Sequence, residues 1–244
     1  MKKRNLFLSL LILTIIFSSC SSDDNSNDND NPSSVLKPSS FTVTESDGDN
    51  WTVNFEYAEN LISKITTDFG STTTYYYDGN RLISFTTIQN GTSETTQFIY
   101  ENNRLVETRT DDELDIYKFF YNSSGQINKV NWIAAGNDNI SFLEYDNRGN
   151  VIEEMDDFST FRFTYDNKNN PFKNVFPQLD AGIWWPWYGS LINNQLEVSE
   201  RLANESTFST KYTYEYDFND NNFPTQRRQV RDDGTIGETV NYTY

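Results

Sequence analysis

The chain has 244 residues, with 19 Lys and Arg against 36 Asp and Glu, one cysteine, no histidine and a net charge of −17. An acid excess of this size repels nucleic acid and anionic surfaces. The absence of histidine excludes Ser-His-Asp and Cys-His nucleophile systems and most zinc sites, and a single cysteine excludes an internal disulfide.

The chain opens on Met1-Lys2-Lys3-Arg4, followed by an apolar run from Leu6 to Phe17. That run is too short for a spanning helix, which needs about 20 residues. A charged start, a short apolar run and small residues before a cut site make a secretory signal over residues 1–19. The stretch Phe17-Ser18-Ser19-Cys20 resembles a lipobox. The resemblance implies that the Cys20 thiol is diacylated and that Cys20 becomes the first residue of the mature protein. Without Lys2, Lys3 and Arg4 the mature chain carries 16 basic against 36 acidic residues, a net of −20. Its expected membrane partner is therefore the bilayer that holds the lipid on Cys20, not a surface that attracts its charge.

Residues 20–38 are expected to form a disordered acidic tether, because SSDDNSNDNDNPSS over 21–34 offers nothing apolar to pack. The acidic stretch after the cysteine resembles the surface-export signal of Bacteroidetes lipoproteins, which implies an outer-membrane, cell-surface location. A solvated spacer explains the same residues. An EF-hand-like calcium loop would need the Gly and closing Glu that are missing here. No metal or cofactor is expected.

From residue 39 to 244 an internal repeat governs the chain. It reads FEYAENLISKI from Phe55, YYYDGNRLISF from Tyr75 and FIYENNRLVET from Phe98. It continues through FFYNSSGQINKV from Phe119, LEYDNRGNVIEE from Leu143 and FTYDNKNNPFKN from Phe163, with a late copy, YEYDFNDNNFPT, from Tyr214. The anchoring tyrosines are Tyr57, Tyr77, Tyr100, Tyr121, Tyr145 and Tyr165, then Tyr216 and Tyr244. Before each, large residues alternate with mostly polar ones, as in Phe161, Phe163 and Tyr165, which marks a strand with one buried and one wet face. After the others, Tyr244 being the last residue, come Asp, Asn or Gly, which close hairpins. An aliphatic such as Leu61, Leu82, Leu105, Ile127 or Val151 then opens a second strand.

Counted this way, strands start at about 40, 51, 60, 72, 81, 94, 104, 114, 126, 139, 150, 159, 194, 209, 223 and 237. All connections but one are short, so the expected fold is all-β, an antiparallel up-and-down meander of about 16 strands. It is expected to form a monomeric soluble barrel or a strongly curved sheet. An outer-membrane barrel is the competing reading. Against it, the second strands carry Glu107, Arg109, Lys129, Glu153 and Glu154 on both parities, leaving no clean apolar stripe.

The Tyr-Asp-x-x-Gly-Asn-Leu form of the repeat resembles the YD repeats of the RHS family over most of residues 51–165, although Tyr57, Tyr100 and Tyr121 lack the following Asp. That resemblance implies β-strands wound into a hollow shell. The lipobox, the Tyr-Asp-Asn-Lys-Asn-Asn-Pro-Phe stretch at 165–172 and the length also resemble a family of Bacteroidetes lipoproteins of unknown function with a porin-like fold. Neither resemblance brings a catalytic residue.

One segment, 171–192, breaks the repeat. Pro171, Pro177 and Pro186 forbid a long helix or central strand there, yet the segment is rich in large apolar residues. It is expected either to plug the aromatic interior or to offer a ligand platform of Trp184, Trp185, Trp187 and Tyr188, whose faces suit sugar rings. Glu153-Glu154, Asp156-Asp157 and Asp111-Asp112-Glu113 could each be half of a glycosidase carboxylate pair. Consecutive acids on a strand point to opposite faces, so the reading favoured is a binding or interaction module for a glycan or protein, without catalysis. A structural envelope component and a glycan-cleaving enzyme are the alternatives.

Overall fold

A computed structural model describes residues 35–111, 115–134, 137–175 and 191–244. Among these residues sixteen strands follow one another. The first eight are β1 (Ser40–Glu45), β2 (Asn50–Ala58), β3 (Leu61–Thr67), β4 (Thr72–Asp78), β5 (Arg81–Gln89), β6 (Thr92–Glu101), β7 (Arg104–Thr110) and β8 (Asp115–Tyr121). The others are β9 (Ile127–Ala134), β10 (Asn137–Tyr145), β11 (Val151–Met155), β12 (Ser159–Tyr165), β13 (Gln195–Leu202), β14 (Ser209–Phe218), β15 (Pro224–Val230) and β16 (Ile236–Thr243).

Each strand pairs antiparallel with its neighbours in sequence, and β1 pairs with β16 from Ser40↔Thr243 to Glu45↔Glu238. The sheet is thus a closed barrel. Closure gives every strand two neighbours and leaves no edge on which another chain could pair. The strand starts read from the sequence agree with these to within about two residues. Tight turns make the meander possible. Asn102 and Asn103 both take positive φ (50° and 64°), as do Asn90 and Gly91 (52° and 80°), the combination required by a two-residue turn whose twist matches the strands.

The alternation read in the sequence sorts side chains between lumen and outer wall. One inner cluster gathers buried Ile62, Tyr75, Leu82, Phe98 and Val175. A second gathers Phe119, Ile127, Val130, Leu143 and Val151, and Leu105 packs against both. The outer wall carries cross-strand ion pairs in mid-strand: Lys64 with Glu56 at 3.1 Å, Arg162 with Glu153 at 2.7 Å, and Arg228 with Asp217 at 2.7 Å. Threonine pairs such as Thr86 and Thr95 (3.0 Å) lie between them.

Candidate functional site at the tyrosine rim and in the lumen

The repeat tyrosines build one rim of the barrel. The hydroxyl of Tyr57 donates to the carbonyl of Pro38, Tyr77 to Ile62, Tyr100 to Leu82 and Tyr121 to Leu105, at 2.7–2.9 Å. Tyr145 donates to Ile127, Tyr165 to Val151, Tyr216 to Gln195 and Tyr244 to Pro224, at 2.6–3.0 Å. The pairing registers explain the acceptors. Between β5 and β6 pairing begins at Ser84↔Gln97, so the carbonyl of Leu82, two residues earlier, has no backbone partner on β6, and Tyr100, three residues past Gln97, supplies a side-chain one. The same offsets hold for Ile62 and Tyr77 around Lys64↔Thr74, and for Pro224 and Tyr244 around Gln226↔Asn241. A strand end that splays at a bulge leaves a carbonyl to satisfy, and the tyrosine hydroxyl satisfies it. Burial pushes the hydroxyls of Tyr57, Tyr77 and Tyr244 up, Tyr77 to about 12.

Residues after the tyrosines clamp the hairpins. Asp146 accepts from the backbone amides of Arg148 and Asn150 (2.9 Å each) and from the Asn150 side chain (2.9 Å). Partial burial pushes the Asp146 carboxyl up, but the hydrogen bonds from Asn150 and Arg148 outweigh this and hold it below its ordinary value. Asp166 makes the same bonds to the amide and side chain of Asn194, at 3.0 Å each. The irregular segment is therefore an enlargement of one hairpin loop, whose base closes like its neighbour's. Asn193 joins the two clamps: its Oδ1 accepts from Asn150 at 3.0 Å and its Nδ2 donates to the Lys168 carbonyl at 2.7 Å.

From this base the chain turns into the barrel. The Asn170 side chain accepts from the Phe172 amide at 2.9 Å, and the Asn174 side chain donates to the Leu36 carbonyl at 2.9 Å. Phe172 enters among the rings of Phe41, Phe55 and Tyr242, 6.0–6.2 Å between centroids, and Val175 is 1% exposed inside the first cluster. A circular sixteen-strand barrel encloses a wide lumen, and these two side chains help to fill it. Of the residues singled out in the sequence, Trp184, Trp185, Trp187, Tyr188 and Cys20 lie outside the described residues, as do Asp112 and Glu113.

Beside Phe172 is a cavity of about 30 Å³, lined by Phe41, Trp51, Tyr242, Arg227 and Glu238 among others. That is room for about one water. Arg227 and Glu238 form an ion pair there, their side chains 15% and 22% exposed. Burial works against the Arg227 charge, but Tyr242 and Glu238 facing it hold the guanidinium protonated, above its ordinary value. Among the described residues its Nε has no hydrogen-bond partner. Sequence reasoning missed this pair. A signal existed for Glu238, which shares its strand parity with Val240, Tyr242 and Tyr244.

The consecutive acids separate as strand geometry requires. Glu153 faces out to Arg162, whereas Glu154 sits opposite Leu143 and Phe161 on the inner side. Burial pushes the Glu154 carboxyl up, and its hydrogen bond with Ser141 only partly offsets this. Among the described residues no group of three or more acids or cysteines is placed to hold a metal ion.

No protein-family model matches the chain, and no curated protein does. Solved structures do match. A porin-like protein from Bacteroides vulgatus aligns over 85% of this chain and 98% of its own, with a TM-score of 0.58 and 12% identity. A porin-like protein from Bacteroides uniformis aligns over 84% of this chain and 97% of its own, with a TM-score of 0.53 and 14% identity. At such identities the likeness is one of fold: this chain has the barrel of porin-like proteins.

Proposed function

We propose that this protein is a lipid-anchored surface module, held in the outer membrane through Cys20, whose barrel presents an enlarged rim loop to a glycan or protein ligand without catalysing a reaction. The observation that carries this reading is the hairpin between Asp166 and Asn194. The other described connections at the tyrosine rim are short turns, and this one alone is expanded while its clamp is retained. A rigid, edgeless barrel with one elaborated loop is an arrangement for recognition, because precise presentation needs a scaffold that does not move. The mid-strand charges on the outer wall support a barrel that stands outside the bilayer, since a membrane barrel needs a continuous apolar band.

The test is binding of surface polysaccharides by the mature protein and by Trp184→Ala, Trp185→Ala and Trp187→Ala, read by tryptophan fluorescence and calorimetry alongside melting temperature. At least one variant is expected to melt like the wild type and lose the ligand. If all three are destabilised alike and no glycan binds the wild type, the loop is a plug and the barrel a structural envelope component.

A further inference from the structure

We propose that the outer wall over β8–β13 is a face that docks on a lipid bilayer, with phosphate headgroups as its polar ligands. The inference rests on the lipid-anchor reading for the nearness of a bilayer; the face itself is read from the wall.

Register carries one row of outward side chains straight across six strands. Phe120 stands opposite Lys129, Lys129 opposite Phe142, Phe142 opposite Met155, Met155 opposite Thr160, and Thr160 opposite Arg201. Phe120, Phe142 and Met155 are 43–47% exposed. Two aromatics and a methionine on one wet row form a patch, whereas scattered exposed apolar residues are ordinary. The adjoining turn adds Phe158, which is 70% exposed.

The row contains cations and no acid. Lys129 lays its ammonium over the Phe120 ring, 4.7 Å from the centroid. Arg201 rests on the Phe208 ring and donates to the Thr160 hydroxyl. In the next row Lys118 stands opposite Glu107, but Glu107 is held by Arg109 at 2.6 Å. Among the described residues none of Lys118, Lys129 and Arg201 has a carboxylate within 4.0 Å. In a chain with 36 acids and 19 bases, three cations without a carboxylate partner gather around one apolar row, with Asp138 and Glu144 in outward rows beside it.

A bilayer interface fits this chemistry. Aromatic and aliphatic side chains reach the acyl boundary while lysine and arginine meet phosphates on their apolar stems. A peptide ligand fits it poorly. The wall of a closed barrel is convex and its backbone ladders are paired on both sides, so it offers neither groove nor free edge. The acidic remainder of the chain opposes anionic surfaces, which makes the contact one-sided.

The barrel closes entirely within residues 35–244, so that segment serves for the test. It is floated with vesicles of phosphatidylcholine, alone or with about one fifth phosphatidylglycerol. Wild type is expected to float with both and more with the second. Phe120→Asp with Phe142→Asp should lower partition about tenfold or more. Lys118→Glu with Lys129→Glu should remove the preference for phosphatidylglycerol. These side chains face outward, so circular dichroism and melting should not change. No flotation of wild type, or equal flotation of the Phe120/Phe142 variant, overturns the proposal. So does a concentration-dependent dimer that this variant makes monomeric, which would give the face to a second copy. Acylation of Cys20 is measured separately by lipid labelling of the full chain. Labelling without flotation removes the docking face alone, and flotation without labelling removes the anchor alone.

Discussion

Asp166 is bound to Asn194, 28 residues later in the chain, by two 3.0 Å hydrogen bonds, one from the Asn194 backbone amide and one from its side chain. Asn194 is buried, so the bonds are not readily replaced by water. We expect Asp166→Ala to destabilise the barrel by about 1–3 kcal/mol, the cost of leaving buried amides unpaired. It should also release Phe172 from the lumen, because the turn that inserts it is tied to the same base. Urea unfolding measures the first effect and protease cleavage after Phe172 the second. Full stability with an uncleaved loop would show that the clamp does not hold the insertion.

The tyrosine rim should be cumulative. Tyr100→Phe removes the donor to Leu82 and should cost about 1 kcal/mol, the ordinary net value of such a bond. Tyr76→Phe, on the outer wall and 47% exposed, should cost nothing measurable. Tyr77→Phe combined with Tyr145→Phe should cost the sum of the two, because their acceptors lie on different strands. Urea midpoints at constant slope would check all three.

The same hydroxyls give the barrel a sensitivity to base. Burial raises Tyr57, Tyr77 and Tyr244 above 10.0, so the folded state holds their protons more firmly than the unfolded state does. Their contribution to stability is complete below the unfolded value near 10 and is lost as pH rises through the folded values, about 12 for Tyr77. Titrating the protein while following circular dichroism and tyrosinate absorbance should show the buried tyrosines ionising together with loss of sheet. Ionisation of all tyrosines near pH 10 with the sheet intact would contradict the rim geometry.

Arg227 and Glu238 should behave as a coupled pair. Arg227→Met alone leaves a mostly buried carboxylate unpaired and should cost roughly 2–3 kcal/mol, somewhat less than for a fully buried pair. Adding Glu238→Leu should recover most of that loss, since two apolar side chains suit the ring-lined wall. A double-mutant cycle on melting free energies gives the coupling directly, and additive losses would show that the two charges act independently.

Glu154 is an inward carboxyl whose ionised form is disfavoured by burial. Its folded value lies above the unfolded one, so its contribution is complete at acid pH and lost as pH rises through the folded value. Glu154→Gln should therefore raise the melting temperature at neutral pH. The gain should shrink to nothing well below pH 4.5, where both side chains are neutral. An equal gain at both pH values would assign the effect to packing.

The sequence by itself determined the strands and their order. Period-two alternation before Tyr77, Tyr100 or Tyr165 and turn residues such as Asn102-Asn103 act over a few residues, so they are legible locally. What only the tertiary structure decided is closure and what closure encloses. Pairing of Ser40 with Thr243 depends on the summed twist and stagger of all sixteen strands, and no single residue encodes that sum. The hydrogen bonds from Tyr77, Tyr100, Tyr121, Tyr145, Tyr165, Tyr216 and Tyr244 to carbonyls of the preceding strand could not be read from the repeat, because each acceptor is a backbone atom beside a bulge. The lumen pair of Arg227 and Glu238 was hidden for a related reason. Arg227 and Arg228 look alike in sequence, and only the barrel separates them, sending one to Glu238 inside and the other to Asp217 outside.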